Sequence, residues 1–74
     1  MSHNLYQAQC GKEYTIVQTP DYQLLASIGV FKGAKVRVES KYKLGGPVSV
    51  ALSTRKIAVG KDIATKIIVD EVRK

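Results

Sequence analysis

Residues 35–59 read KVRVESKYKLGGPVSVALSTRKIAV, and apolar residues alternate with polar ones in three separate runs of this stretch. Val36 and Val38 stand between charged residues, and the alternation returns at 48–52 and again at 57–59. Successive side chains of a β-strand point to opposite faces, so this period of two predicts three half-buried strands. The stretch therefore favours a sheet with one face turned toward a core.

Further strands are predicted on both sides of this stretch. The β-prone run at 14–17 predicts the first strand, and the aliphatic run at 67–69 predicts the last, with both of its faces covered. The segment 60–64 predicts a single helical turn before that last strand. Closing about five short strands into a barrel buries one face and removes exposed edges, so we expect a small, mainly β barrel.

One segment departs from the period of two. Thr19 and Pro20 predict the start of a helix, with Thr19 as the N-cap and Pro20 at the first helical position. Gly29 then suits the position after the helix that needs a positive φ, and Val30 is placed for the hydrophobic contact that accompanies such a cap. The apolar spacing predicts that one face of this helix is buried through three residues: Leu24, Leu25 and Ile28.

The chain has 74 residues and a formal net charge of +6, and 45% of its residues are hydrophobic. This length fits one domain, 1–74, in which we expect 1–10 to be an N-terminal arm and 70–74 a frayed tail. No apolar run approaches the roughly 18–20 residues of a membrane span, and the first ten residues lack the pattern of a secretory signal. A single cysteine cannot form an intramolecular disulfide, which is typical of a reducing compartment, so we expect a cytoplasmic protein.

Residues that bind metals or catalyse reactions are scarce. The one histidine, His3, and the one cysteine, Cys10, precede the first strand, and their spacing matches no zinc or iron site. We expect His3 to be exposed and Cys10 to pack near the rim of the barrel. The acids are scattered, and no phosphate-binding loop motif is present. The sequence predicts no catalytic site, no cofactor and no physiological metal site.

The excess of positive charge lies in the middle of the chain, because segment 32–61 carries a net charge of +7 whereas 1–31 carries −1. Three interpretations of the loop 41–46 (KYKLGG) in this segment stay open: a solvated hairpin loop, a protein-docking surface anchored by Tyr42 or Leu44, or a set of phosphate contacts with a nucleic acid. Phe31 is expected in the core, although its exposure would extend a docking surface. The candidate partner-binding residues are Lys41, Tyr42, Lys43, Leu44, Arg55 and Lys56.

Three motifs resemble a known family, ferrous iron transport protein A, or FeoA. Residues 24–33 (LLASIGVFKG) resemble the LLxxLGIxxG helix and turn of that family, and GGPV at 45–48 is similar to its motif before the third strand. Residues 57–69 resemble its IALxxxxAxxIxV ending. The order and spacing fit over 11–69, which is most of the chain.

This resemblance implies an SH3-like barrel with one short helix after the first strand. It also implies a non-enzymatic cytosolic accessory protein of bacterial ferrous iron uptake, which docks on a FeoB-type permease with a GTP-binding domain. Membrane association would then come only through the permease, weak self-association is compatible with this role, and no nucleic acid is expected as a partner. The alternative is a small basic nucleic-acid-binding barrel, since the same fold occurs in metal-dependent repressors of the diphtheria-toxin-repressor type.

Overall fold

The structure of the protein is a computed structural model, which describes residues 2–42 and 44–72. A short 3-10 helix at Leu5–Gln7 follows the first strand, and two short α-helices are α1, Gln23–Ser27, and α2, Lys61–Ala64. The strands are β1 Ser2–Asn4, β2 Glu13–Gln18, β3 Lys35–Lys41, β4 Val48–Ala51, β5 Lys56–Val59 and β6 Ile68–Glu71.

The six strands form one antiparallel sheet in the order β1-β6-β2-β3-β4-β5. The mainly β, SH3-like fold is therefore confirmed, with one strand more than the sequence predicts. The expected closure of the sheet is wrong for the part of the chain that the structure describes, because β1 and β5 do not pair. Both edge strands are only three or four residues long, which limits the exposed edge that each one leaves.

The alternation in 35–59 places the core as predicted. Val36 and Val38 of β3 are buried, whereas the charged residues between and beside them are exposed. Val38 lies opposite Val50 in the neighbouring strand, and Tyr14 of β2 lies opposite Val36. These cross-strand pairs fill the concave face of the sheet, and burying each valine side chain contributes about 1.5–2 kcal/mol.

Helix α1 ends as the sequence predicts but begins later. Gly29 has a φ of +101°, and the N–H groups of Gly29 and Val30 donate to the carbonyl oxygens of Ala26 and Leu25 at 3.1 and 2.8 Å. This pair of hydrogen bonds is the Schellman motif. The predicted N-cap at Thr19 is wrong, because the Tyr22 N–H first closes a turn onto the Pro20 carbonyl oxygen and the helix begins at Gln23.

The predicted apolar face of α1 is partly wrong. Leu25 is buried and Ile28 packs against the core, but Leu24 is 70% exposed. Adjacent helical residues point about 100° apart, so the rotation that buries Leu25 turns Leu24 toward solvent. The helix therefore has a narrower buried face than the apolar spacing predicts.

Residues 2–4 and 68–71, near the two chain ends, belong to the sheet, which corrects the expected arm and tail over these residues. β1 pairs with β6, and the N–H of the buried Leu5 donates to the Ile67 carbonyl oxygen at 2.7 Å. β6 lies between β1 and β2, so Asp70 and Glu71 are held in the sheet instead of fraying. Residues 73 and 74 of the predicted tail lie outside the described residues.

Candidate functional site

The predicted partner-binding residues lie at two opposite ends of β4. Lys41 pairs with Val48 at the first residue of β4, whereas Lys56 pairs with Ala51 at its last residue. Those two pairs are separated along the strand by about 10 Å, at about 3.4 Å per residue. The five of these residues that the structure describes therefore fall into two groups along β4 instead of one basic patch.

We call the two regions the loop end and the turn end. The loop end consists of the β3–β4 loop (42–47), the 3-10 helix and α2, since the 3-10 helix contacts α2. The turn end consists of the β4–β5 turn (52–55), Phe31 and the first residues of β3. A hydrogen bond from the Leu52 N–H to the Arg55 carbonyl oxygen at 2.7 Å closes the tight turn.

The β3–β4 loop presents apolar residues directly to solvent. Tyr42 is 60% exposed, and its N–H donates to the Pro47 carbonyl oxygen at 3.2 Å, which closes the base of the loop. Leu44 is fully exposed at the tip. Among the described residues other than glycine, Leu44 alone has a positive φ, at +62°. Lys43 lies outside the described residues.

Lys41 holds the N-terminal segment to the sheet. Its Nζ donates to the Tyr6 carbonyl oxygen at 3.0 Å across 35 residues of sequence, and its side chain is half-buried. The ammonium group is therefore engaged in a structural hydrogen bond. This position differs from that of a free cation on the rim of a docking patch.

Two lysines that the sequence did not single out lie at the loop end. Lys61 Nζ lies 5.5 Å from the centre of the Tyr6 ring, and Lys66 Nζ lies 5.9 Å from the centre of the Tyr22 ring. Both distances are within the range of a cation–π interaction. A shallow groove of about 770 Å³ runs between Gly45 and α2, and both lysines line it. Lys61 and Tyr6 are brought together by the fold alone, so no local sequence pattern marks them.

A second groove, of about 450 Å³, lies at the turn end. Phe31 lines it and is 49% exposed, so the expectation that Phe31 lies in the core is wrong. Phe31 lies in a turn before β3, which a hydrogen bond from the Ala34 N–H to the Phe31 carbonyl oxygen closes at 3.0 Å, so it is outside the sheet. The other residues that line this groove include Gly29, Ala34, Val36, Ala51 and Leu52.

The rim of this groove carries an ion-pair network. Glu39 accepts from Lys56 Nζ at 3.1 Å and lies 3.8 Å from Arg37 Nε. Arg55 is exposed in the adjacent turn, and Lys35 lines the groove. Glu13 also lines the groove, so two carboxylates face four cations, and this region retains a positive excess that would attract an acidic partner.

His3 and Cys10 do not take the positions expected for them. His3 is half-buried against Tyr14, with ring centres 5.9 Å apart in an edge-to-face arrangement. Cys10 is exposed instead of packed at a rim. His3 is held in β1 because this strand pairs with β6. Cys10 lies in the turn before β2.

The described residues show neither a cluster of metal ligands nor a membrane-spanning helix. Within 2–42 and 44–72, no three His, Cys, Asp or Glu side chains come together in a way that could hold a metal ion. No helix in the same ranges is long and apolar enough to cross a bilayer. Both ends carry exposed apolar residues, and lysine or arginine side chains lie near them.

Several solved structures share this fold. An iron uptake regulatory protein (FeoA) is 25% identical, with a TM-score of 0.87 over 97% of this chain and 99% of that one. The iron(II) transport protein A from Clostridium thermocellum is 23% identical, with a TM-score of 0.83 over 93% of this chain and 45% of that one. A manganese-dependent transcriptional repressor is 24% identical, with a TM-score of 0.86, and the match covers 96% of this chain and 42% of the repressor.

The family comparison covers nearly the whole chain. A comparison with curated protein sequences finds no match. The model of the FeoA domain, in contrast, matches residues 3–71. This range contains the loop end, the turn end and all three motifs at 24–33, 45–48 and 57–69. FeoA family proteins are non-catalytic accessory proteins, and the domain implies a role in ferrous iron transport. The chain belongs to the FeoA family.

Proposed function

We propose that this protein is a non-enzymatic, cytosolic accessory protein of ferrous iron uptake that docks on a FeoB-type permease and modulates it by protein–protein contact. The observation that carries the proposal is the groove at the turn end, with Phe31 half exposed beside it. Modulation requires only that the protein binds one state of the permease or of its GTP-binding domain more tightly than another.

The turn-end groove has the anatomy of a protein contact. Protein–protein binding energy is concentrated in a few aromatic and apolar anchors that fill pockets, and cations at the rim steer the partner. Phe31 and Leu52 supply the apolar surface, and Leu52 lies against the end of α1 near Gly29. The groove is concave, so it can receive a side chain of the permease.

The charged rim fits an acidic partner. Arg55 and Lys56, two of the predicted partner-binding residues, lie on this end together with Lys35 and Arg37. Glu39 neutralises only part of this charge. The docking role of Arg55 and Lys56 stays a prediction, and their position beside the groove supports it.

Phe31→Ala tests the proposal directly. Removing the half-exposed ring leaves the buried core intact, and we expect capture of the detergent-solubilised permease to weaken by about tenfold or more. Leu24→Ala is the matched control, because Leu24 is also exposed and apolar but does not line the groove. Melting curves of both variants establish that the fold survives.

The proposal fails if Phe31→Ala binds the permease as tightly as the unchanged protein does. It also fails if Leu24→Ala loses the same amount of binding, because the contact would then not be specific to the groove.

Nucleic-acid binding is the alternative function, and its test is separate. The likeness to the repressor is at 24% identity and concerns the fold. If several lysines bound DNA or RNA phosphates, the logarithm of the affinity would fall steeply and linearly with the logarithm of salt concentration. We expect no binding of duplex DNA or single-stranded RNA at physiological salt in an electrophoretic mobility assay.

A further inference from the structure

Leu44 combines two unfavourable features at one position. A fully exposed leucine leaves its whole apolar side chain in water. Its left-handed backbone, with a φ of +62°, also brings the Cβ atom close to the following carbonyl oxygen, which disfavours residues other than glycine, asparagine and aspartate. A glycine or asparagine would suit this turn better, so folding does not explain the leucine. A residue that is costly for folding and placed at a loop tip points to a contact outside the molecule.

We propose that the loop end binds the surface of an anionic lipid bilayer, with Leu44 inserted among the acyl chains and the neighbouring lysines on the headgroups. This goes beyond docking on the permease and does not depend on it. It also differs from the expectation that the membrane is reached only through the permease.

The exposed aromatic and basic residues of the loop and of the groove next to Gly45 have the side-chain types that occupy a membrane interface. Tyr42 and Tyr22 are exposed aromatic residues with a polar tip, and Lys61 and Lys66 place ammonium groups against tyrosine rings. Lysine and tyrosine side chains of this kind keep an apolar body in contact with lipid and a polar end in the headgroup layer.

The charge of this face suits an anionic surface. Lys61 and Lys66 both line the groove beside the loop. Asp62 on α2 is the acidic residue among those lining the groove, so the cations outnumber it. Each lysine near an anionic leaflet adds to the attraction, which salt screens within about 8–10 Å.

The shape of the loop favours lipid over a protein partner. Leu44 projects from a tip, and the groove beside it is lined mainly by polar residues of α2 and of the two positions after it: Lys61, Asp62, Thr65 and Lys66. A protein partner would have to supply a complementary pocket for the leucine, whereas a bilayer accepts an isolated apolar side chain in any orientation. The groove at the turn end differs, because it is concave and lined largely by apolar residues, and such a groove suits a protein side chain.

Co-sedimentation with vesicles that contain no protein other than this one tests the proposal. The full chain should sediment with vesicles containing about one third phosphatidylglycerol and remain in solution with pure phosphatidylcholine, and raising the salt to about 0.5 M should weaken the binding. Leu44→Asn suits the left-handed turn but removes the apolar side chain. We expect it to lower the partition coefficient by about tenfold while the melting temperature is unchanged or higher.

A charge-reversal pair separates a specific face from general attraction. Lys61→Glu combined with Lys66→Glu should lower vesicle binding by about tenfold or more, because both ammonium groups lie at the loop end. Lys35→Glu combined with Arg55→Glu changes the net charge by the same amount at the turn end and should have a much smaller effect. Melting curves of both variants exclude unfolding as the cause.

Three outcomes would overturn the proposal. The first is no binding of the unchanged protein to phosphatidylglycerol vesicles, and the second is equal binding by Leu44→Asn. The third is a loss of permease capture in detergent by Leu44→Asn, which would make the loop end a protein contact. Each outcome leaves the Phe31 test unaffected, so failure of this proposal is distinguishable from failure of permease docking.

Discussion

The loop end and the turn end lie at opposite ends of the same short strand, β4. They differ in shape and in how far their apolar side chains are exposed. At the turn end, Phe31 lies half-covered beside a concave groove, and its neighbour Leu52 packs toward Gly29. At the loop end, the Leu44 side chain is fully exposed, and its backbone is in the left-handed region. The comparison teaches that a sheet this small, with a core built from its aliphatic residues, still presents two exposed apolar regions of different shape.

We expect the largest difference in stability between the two ends when a glycine at each end is replaced by alanine. Gly29 and Gly45 both have a positive φ, but a Cβ at Gly29 would meet Leu52 Cδ1 at 3.2 Å, whereas one at Gly45 would meet Lys61 Cδ at 3.6 Å. We expect Gly29→Ala to lower the free energy of unfolding by about 2 kcal/mol and Gly45→Ala by about 1 kcal/mol, because both share the backbone strain and only the first adds a tight contact. Urea denaturation measures both values.

Equal losses for the two alanine variants would break the comparison. They would mean that Leu52 moves aside easily and that the wall of the groove is not fixed by its packing against the end of α1.

A middle-sized effect is expected from Lys41. Lys41→Met keeps the length of the side chain but leaves the half-buried Tyr6 carbonyl oxygen without its 3.0 Å hydrogen bond. We expect a loss of about 1 kcal/mol, because an unpaired carbonyl retains its desolvation cost. Hydrogen exchange should show faster exchange in β1 and at Leu5, with little change in β4 and β5, whereas uniform protection would contradict a structural role for this lysine.

The smallest effect is expected at the rim of the turn end. Glu39→Gln weakens the interactions with Lys56 and Arg37, whose side chains are largely exposed. Exposed ion pairs contribute about 0.2–1 kcal/mol, so we expect a loss of about 0.5 kcal/mol that shrinks as salt is added. Urea denaturation at low and high salt measures this loss of stability. A loss larger than that of Lys41→Met would contradict the expectation that the turn-end ion pairs contribute less than the Lys41 hydrogen bond.

The core was predictable from the sequence because it follows local rules. Val36 and Val38 are buried by the period of two, and Gly29 ends α1 because only a glycine adopts its φ without strain. The start of α1 was not predictable from Thr19 and Pro20, because a turn closed by Tyr22 intervenes. The pairing of β1 with β6 joins the two ends of the chain, and no local pattern in 1–10 indicates it.

The candidate site was predictable only in part, for the same reason. The charge pattern marked the exposed loop at Tyr42 and Leu44, but strand register places Arg55 and Lys56 at the other end of β4. Lys61 reaches Tyr6 only after the fold has formed. Sequence thus identifies which residues face solvent, whereas the topology decides which of them act together.

The most direct test of the two-surface account is a paired measurement on Phe31→Ala and Leu44→Asn. Each variant is assayed for capture of the permease in detergent and for binding to phosphatidylglycerol vesicles without permease. The account predicts that Phe31→Ala loses permease capture and keeps vesicle binding, while Leu44→Asn does the reverse. Loss of the same activity by both variants, or of both activities by either folded variant, would contradict it.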